Sequence, residues 1–424
     1  LMLKQTADSP DRAQVLYLGE EKSEKSLAVL GTFDDVVHKA AKERRLSWSL
    51  AWKLPKELKV ANPQDIRGSP IMAGNEVALA CDLEDVGGGR LAVRLMEYAF
   101  ASQQFSMRPL NTSKKDAGKK DAPTKYTLTA QGGTFDFERG RGRPLEGLPP
   151  PIKCYGFPAQ VRAAYQNAGF LSDLEYAFEQ QMQRMYYLGP LREYPFRDYR
   201  WSGAEPIDMG RRGEKVVSAL LAAKQRGAKI GKGKRRKLLE ERVAEWLKKL
   251  GLIHDFRVEE IGKESNLYRV SVQRSSSSAH VLLPDVGFGV SQILPVIALC
   301  YYVPEGSTIL LEQPEIHLHP KVQEGLADVL IDAVKSRKVQ VLVESHSEHL
   351  LRRLQRRVAE EKCATDDVAL YFCDAKNGAS ELVPLDIDMY GEIRNWPNDF
   401  FGNEMKDIAA MSDAKMKRRG IAGA

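Results

Sequence analysis

Residues 307–320 read STILLEQPEIHLHP, and residues 339–351 read VQVLVESHSEHLL. Each opens with a run rich in Ile, Leu and Val: STILL at 307–311 and VQVLV at 339–343. Between them Val322, Leu326, Val329, Leu330 and Ala333 return at the spacing of one helical face. Strand, helix, strand in this order predicts a crossover unit with parallel strands. Apolar runs without alternation predict that the sheet is buried on both faces. A further run, VALYFC at 368–373, predicts another strand of the same sheet.

Open α/β sheets place their ligand sites beyond the carboxyl ends of the strands. The first run delivers Glu312, Gln313, Pro314 and Glu315 to that edge, and the second delivers Glu344, Ser345 and His346. A carboxylate there can hold magnesium directly or through water, a second polar group can orient an attacking water, and a histidine can touch a terminal phosphate. Upstream, PDVGFGVSQILPVIALCYYV at 284–303 sets a glycine turn before an apolar helix. Gly287 and Gly289 permit close backbone approach, and the amides and positive end of the helix form an anion site.

In order and spacing these segments resemble the ABC-type ATPases of the SMC, RecF and overcoming-lysogenization-defect branch. In that resemblance GFGVSQ (287–292) is the signature motif, TILLEQPEIHLHP (308–320) is Walker B running into the D-loop, and ESHSEHLL (344–351) carries the switch histidine, His346. More narrowly, YLGPLR (187–192), GRRGEKVV (210–217) and DIDMYGEIRNWPNDFFG (386–402) are similar to a group of bacterial AAA-family ATPases, related to phage-defence ATPases, that end in a module of unknown function.

The resemblance implies an α/β P-loop NTPase of the ABC/SMC type: a mixed sheet with antiparallel N-terminal strands, a helical insertion and parallel core strands. It implies ATP and Mg2+ as cofactors, and a homodimer that sandwiches ATP. Glu312 would hold the Mg2+, and Glu312, Gln313, Glu315 and His346 would form the catalytic set. Gly287, Phe288, Gly289, Ser291 and Gln292 would reach the nucleotide from the other subunit. It also implies coupling to DNA or to an effector protein, in phage defence or DNA repair.

Three features depart from the pattern. No GxxxxGK[ST] occurs in the sequence. The family places it just ahead of a helix ending in sequence like LMLKQT, so the expectation is a chain cut after its phosphate loop that binds ATP poorly as it stands. Gln313 stands where most relatives carry a glutamate base. It can still position water, and Glu315 becomes a candidate base. Gly287 stands where the signature serine usually sits, leaving the backbone amides and Ser291.

The expected divisions are 1–157, the remainder of the N-terminal ATPase lobe, with antiparallel strands across 14–135 (VLYL, SLAVL, RLAVRLMEYAF, KYTLTA) and a polar loop at 111–125. After a connector at 140–157 follow 158–255, a helical and basic insertion; 256–375, the C-terminal lobe; and 376–424, the module of unknown function. Residues 1–7 and about 158–187 read as helical, and Leu238, Leu239, Val243, Trp246, Leu247 and Leu250 share a face.

The 424 residues are 43% hydrophobic with net charge +6. No run reaches the roughly 18–20 apolar residues of a membrane span, so no membrane partner and a cytoplasmic location are expected. Cys81, Cys154, Cys300, Cys363 and Cys373 form no CxxC pair, which argues against zinc and disulfides. The tract from Lys224 to Lys237 is basic without an acid; Lys232, Lys234, Arg235, Arg236 and Lys237 are candidate DNA contacts, weighed evenly against a solvated loop. Arg192 is a candidate nucleotide or partner contact, with a structural ion pair as the equal alternative. His317 and His319 read as dimer contacts ahead of a zinc site. The basic stripe Arg352, Arg353, Arg356 and Arg357 reads as a solvent face ahead of a DNA surface, and Asp386 with Asp388 as a turn ahead of a nuclease pair. Trp396, Pro397, Phe400 and Phe401 read as packing. Two other functions compete: a nucleotide-sensing scaffold with little turnover, motivated by Gln313, and a nuclease.

Overall fold

The computed structural model describes residues 1–21, 23, 26–61, 69–110, 124–140, 147–231, 236–262, 265–376, 378–397, 400 and 404–418. Most of the polar loop expected at 111–125, part of the connector at 140–157, and Lys232, Lys234, Arg235 and Phe401 lie outside the described residues. The fold is mixed α/β, and the chain divides into two compact units, Leu1–Met185 and Tyr186–Ala424.

The first unit opens with α1 (Met2–Asp8) and a short α2 (Phe33–Val36). An antiparallel sheet follows, β1 (Arg45–Val60), β2 (Met72–Asp85), β3 (Leu91–Phe100), β4 (Gln103–Pro109) and β5 (Tyr126–Gln131), paired in sequence order. Side chains alternate across a pleated strand, and Val77, Leu79, Cys81 and Leu83 of β2 all turn to one core. Two helices, α3 (Gln160–Ala164) and α4 (Leu171–Gln183), complete that core, α4 through Leu171, Leu174, Phe178 and Met182.

VLYL at 15–18 and SLAVL at 26–30 are not the strands expected of them. Their backbone groups go to a helix side chain instead of a ladder: the buried Gln5 of α1 donates to the Tyr17 carbonyl at 2.8 Å and accepts from the N–H groups of Leu27 and Ala28, each at 3.1 Å. The C-terminal end of α1 is closed by Lys153, whose Nζ donates to the carbonyls of Thr6, Ala7 and Ser9 at 2.7, 3.0 and 2.8 Å.

The helix expected to reach 187 stops at Gln183, and MYYL becomes β6 (Met185–Leu188). Then come β7 (Tyr199–Arg200), α5 (Val216–Gln225), a small hairpin of β8 (Lys229–Ile230) and β9 (Lys237–Leu238), and α6 (Leu239–Lys249). The segment 158–255, expected as one insertion, is therefore shared. Its first helices pack into the first core, whereas Val217, Leu220, Val243, Trp246 and Leu247 of α5 and α6 belong to the second.

An antiparallel group, β10 (Asp255–Glu260), β11 (Leu267–Gln273) and β12 (His280–Leu282), leads into α7 (Phe288–Tyr302). The crossover follows as expected: β13 (Thr308–Glu312), α8 (Pro320–Arg337) and β14 (Gln340–Glu344), with the strands parallel from Thr308 opposite Gln340 to Glu312 opposite Glu344. Among the described residues the strand order is β14, β13, β6. Burial on both faces fails for β14, which lies at the edge: Val341 and Val343 turn inward while Leu342 is 48% exposed.

After α9 (Glu348–Ala359), the run VALYFC does not extend this sheet. Its residues form β15 (Leu370–Lys376), which pairs antiparallel with β16 (Ala379–Leu385). The intervening Asn377-Gly378, with Gly378 at φ +78°, is a hairpin signal, and pairing so near in sequence costs little loop entropy. A boundary at 375/376 thus cuts a hairpin. The last element is α10 (Glu404–Arg418).

Candidate nucleotide site

The ends of β13 and β14 meet a third strand, β6, in one polar cluster. Glu312, the last residue of β13, accepts the Tyr187 hydroxyl on Oε2 at 3.1 Å. Arg211 also bonds that hydroxyl, and burial, followed by the charge of Glu312, pushes the Tyr187 pKa up to about 12. Oε1 of Glu312 takes no part in the bond to Tyr187. It leaves one hard oxygen open, which suits magnesium, an ion that takes one or two carboxylates and completes its shell with water and phosphate. Among the described residues no three His, Cys, Asp or Glu side chains gather to hold a metal by themselves.

Gln313 sits at φ +44°, in the left-handed region that costs a non-glycine residue free energy and is met most at functional sites. Its N–H donates to the Glu344 carbonyl at 2.9 Å and its Nε2 approaches Glu344 Oε1 at 3.4 Å. Two residues on, Glu315 is only 7% exposed, and its Oε1 accepts the N–H of His346 at 2.7 Å. The His346 side chain is 78% exposed, with Nε2 3.5 Å from Glu344 Oε1. Its loop is anchored again by Ser347, which caps α9 by accepting the Leu350 N–H at 3.0 Å and donates to Gln323 of α8 at 2.7 Å. Of the two other histidines, His319 caps α8 by accepting the Lys321 N–H at 3.3 Å, and His317 is exposed at φ +61°.

Arg192 comes from the irregular segment after β6. It is 6% exposed, and Nε, Nη1 and Nη2 have no hydrogen-bond partner. Burial pulls its pKa down to about 10, against the opposite pull of Tyr187, Glu312 and Glu315. The structural ion pair weighed for it is not formed by any direct bond.

In the signature segment Gly287 has φ +95° and precedes α7, whose first turn no side chain caps. Gly287 is exposed, whereas Ser291 and Gln292 are each 5% exposed. The side chain of Phe288 lies outside the description.

The basic features are mostly paired within the unit. Lys224 meets Glu240 at 3.0 Å, Lys237 meets Glu245 at 3.1 Å, and Arg236 donates to the Lys229 carbonyl. Arg353 and Arg357 both bond Asp328 on α8, and Arg352 and Arg356 pair with Glu348 and Glu360 along α9. Asp388 accepts the N–H groups of Tyr390 and Glu392 at 2.9 and 3.0 Å, the geometry of a turn.

Residues 227–351 match the family model described as AAA ATPase domain (AAA_15). Those residues are thus similar to an AAA ATPase domain. Residues 363–411 match the family described as a protein of unknown function (DUF3696), which begins ahead of the β15–β16 hairpin and ends within α10. The search of curated proteins found no match to this sequence. Solved structures with some likeness include an SMC head domain from Thermotoga maritima, at 10% identity and TM-score 0.30, covering 78% of this chain and 80% of that one. A second is an SMC head bound to the C-winged helix domain of ScpA, at 10% identity and TM-score 0.33, covering 77% and 83%. A third, derived from Pyrococcus furiosus, is an Smc head domain with an extended coiled coil bound to the C-terminal domain of ScpA. It has 12% identity and TM-score 0.27, covering 41% and 37%.

The matched residues include the candidate signature segment 287–292, Glu312, Gln313, Glu315 and His346. Tyr187, Arg192 and Arg211 lie upstream of it, yet they reach the same cluster. Tyr187 and Arg211 were not among the residues expected at the site. Both stand inside the quoted motifs YLGPLR and GRRGEKVV, but nothing in a linear motif says which carboxylate its side chains will meet.

Proposed function

We propose that the chain binds ATP with Mg2+ and hydrolyses it as a homodimer, each nucleotide closed over by the signature segment of the other copy. The observation carrying this reading is the set of bonds Tyr187 to Glu312, Gln313 to Glu344 and His346 to Glu315, which draw the ends of three strands into one polar cluster. Glu312 is the residue suited to the metal, which when bound would neutralise phosphate charge. Gln313 orients water without accepting its proton, and His346 faces outward where a terminal phosphate would sit. Glu315 holds the histidine loop. We assign the output of the cycle to DNA or to an effector protein, in phage defence or DNA repair, on the family resemblance.

Gln313 supports a second reading, a nucleotide-sensing scaffold with slow turnover. Because no GxxxxGK[ST] occurs in residues 1–424, the test supplies a phosphate-loop segment in front of Leu1 and measures phosphate release with Mg-ATP. Glu312→Ala should abolish release; equal rates in this variant and the parent would sink the ATPase reading. A large gain in single-turnover rate with Gln313→Glu would favour the sensor.

A further inference from the structure

A guanidinium taken out of water without acceptors loses its hydration and gains nothing in return. Arg192 is in that condition, with all three nitrogens lacking a partner at 6% exposure. Its place is held from both sides. The Gly189 N–H donates to the Arg211 carbonyl at 2.9 Å and the Glu193 N–H to the Arg212 carbonyl at 2.8 Å, so residues 189–193 are clipped to 211–212. Pro190 further restricts the backbone between the clips.

The acids that act on Arg192 electrostatically are Glu312 and Glu315, at the same strand edge. Glu315 Oε2 is itself buried without a partner, yet it does not bond the arginine. A fork of donors fixed at this edge and left unused matches the needs of a tetrahedral oxyanion, which an arginine can bind through two parallel N–H groups. Leu191 beside it is 65% exposed, and no regular element lies between Leu188 and Tyr199.

We propose that Arg192 is a phosphate-binding residue of this site, taking oxygens of the terminal phosphate of a bound nucleotide and standing without a partner until then. The proposal rests on the nucleotide reading of the cluster.

The experiment measures the Tm of the chain carrying the phosphate-loop segment in front of Leu1, and of its Arg192→Met and Arg192→Lys forms, without ligand and with ATP, ADP or inorganic phosphate. Without ligand, Arg192→Met should melt no lower than the parent, because it removes an uncompensated buried charge and keeps an unbranched apolar stem. ATP should raise the parent Tm by a few degrees and ADP by less. The rise should vanish in Arg192→Met and shrink in Arg192→Lys. The proposal is overturned if Arg192→Met melts well below the parent without ligand while responses to ATP and phosphate persist, since Arg192 is then a counter-ion to Glu312 and Glu315. It is also overturned if inorganic phosphate alone stabilises the parent and ATP does not. Hydrolysis by the phosphate-loop protein with no Arg192-dependent shift would remove this inference and leave the ATPase reading standing; the shift without hydrolysis would do the reverse.

Discussion

The Glu315 carboxylate accepts the backbone N–H of His346 at 2.7 Å across 31 residues of chain, and it is the direct tie between the turn after β13 and the histidine loop after β14. Its role follows from burial: with Oε1 committed and Oε2 enclosed, this acid is placed to hold a loop, while Glu312 keeps an open oxygen. Glu315→Ala should cost about 1–3 kcal/mol, the penalty of stranding a buried donor. Glu315→Gln, which keeps an acceptor, should lie within about 1 kcal/mol of the parent. Urea unfolding with hydrogen exchange at the His346 amide measures both. Phosphate release should survive Glu315→Gln and disappear in Glu312→Gln.

The seam between α8 and α9 gives a second prediction. Arg353 meets Asp328 at 3.2 Å and Arg357 bonds it through Nη2 at 2.8 Å, with the arginine side chains 18% and 15% exposed. Asp328→Ala leaves two half-buried cations short of a partner and should cost about 1–3 kcal/mol. If thermal melting is unchanged while DNA retention falls, these arginines form a nucleic-acid surface and not a packing seam.

The first unit carries a pH dependence. Burial raises the Glu175 pKa to about 7, against the opposing N–H bond from Phe157. A carboxyl raised on folding favours the folded state most while protonated. Its contribution is complete below the unfolded value near 4.5 and is lost as pH rises through about 7. Glu175→Gln retains an acceptor for Phe157 and removes the titration. It should therefore raise Tm at pH 8, by about 1–2 kcal/mol of stability, and change little at pH 4.5. An equal effect at both values would contradict the assignment.

In the last module Gly391 has φ +77°, and a Cβ there would lie 2.2 Å from the Gln355 carbonyl oxygen. Gln355 donates in return to the Gly391 carbonyl at 2.7 Å. Gly391→Ala must both strain the backbone and push α9 away, at a cost of about 1–3 kcal/mol. Limited proteolysis should then cut the 386–395 turn faster, and an unaltered digestion pattern would count against this contact.

Linear spacing was enough to read the crossover of β13, α8 and β14, the first helix and the antiparallel character of the first unit, because period and strand-end chemistry are local properties. Local signals also misled. VLYL and SLAVL have strand composition, yet Gln5, farther back in the chain, takes their hydrogen bonds. VALYFC has the composition of a sheet core, yet β16, following within a few residues in sequence, reaches it first. The candidate site shows the same division. Glu312, Gln313, Glu315 and His346 could be proposed from the ends of β13 and β14 and the turns after them, whereas Tyr187, which meets Glu312 only after β6 is laid beside β13, and Arg211, which joins through Tyr187, could not.

What the sequence alone determined is therefore the crossover of β13, α8 and β14 and the residues delivered beyond its strand ends. Which acid is open and which is committed, and that Arg192 is buried without a partner, were decided by the tertiary structure. Burial and hydrogen-bond competition depend on neighbours tens to more than a hundred residues away, and no local pattern encodes them.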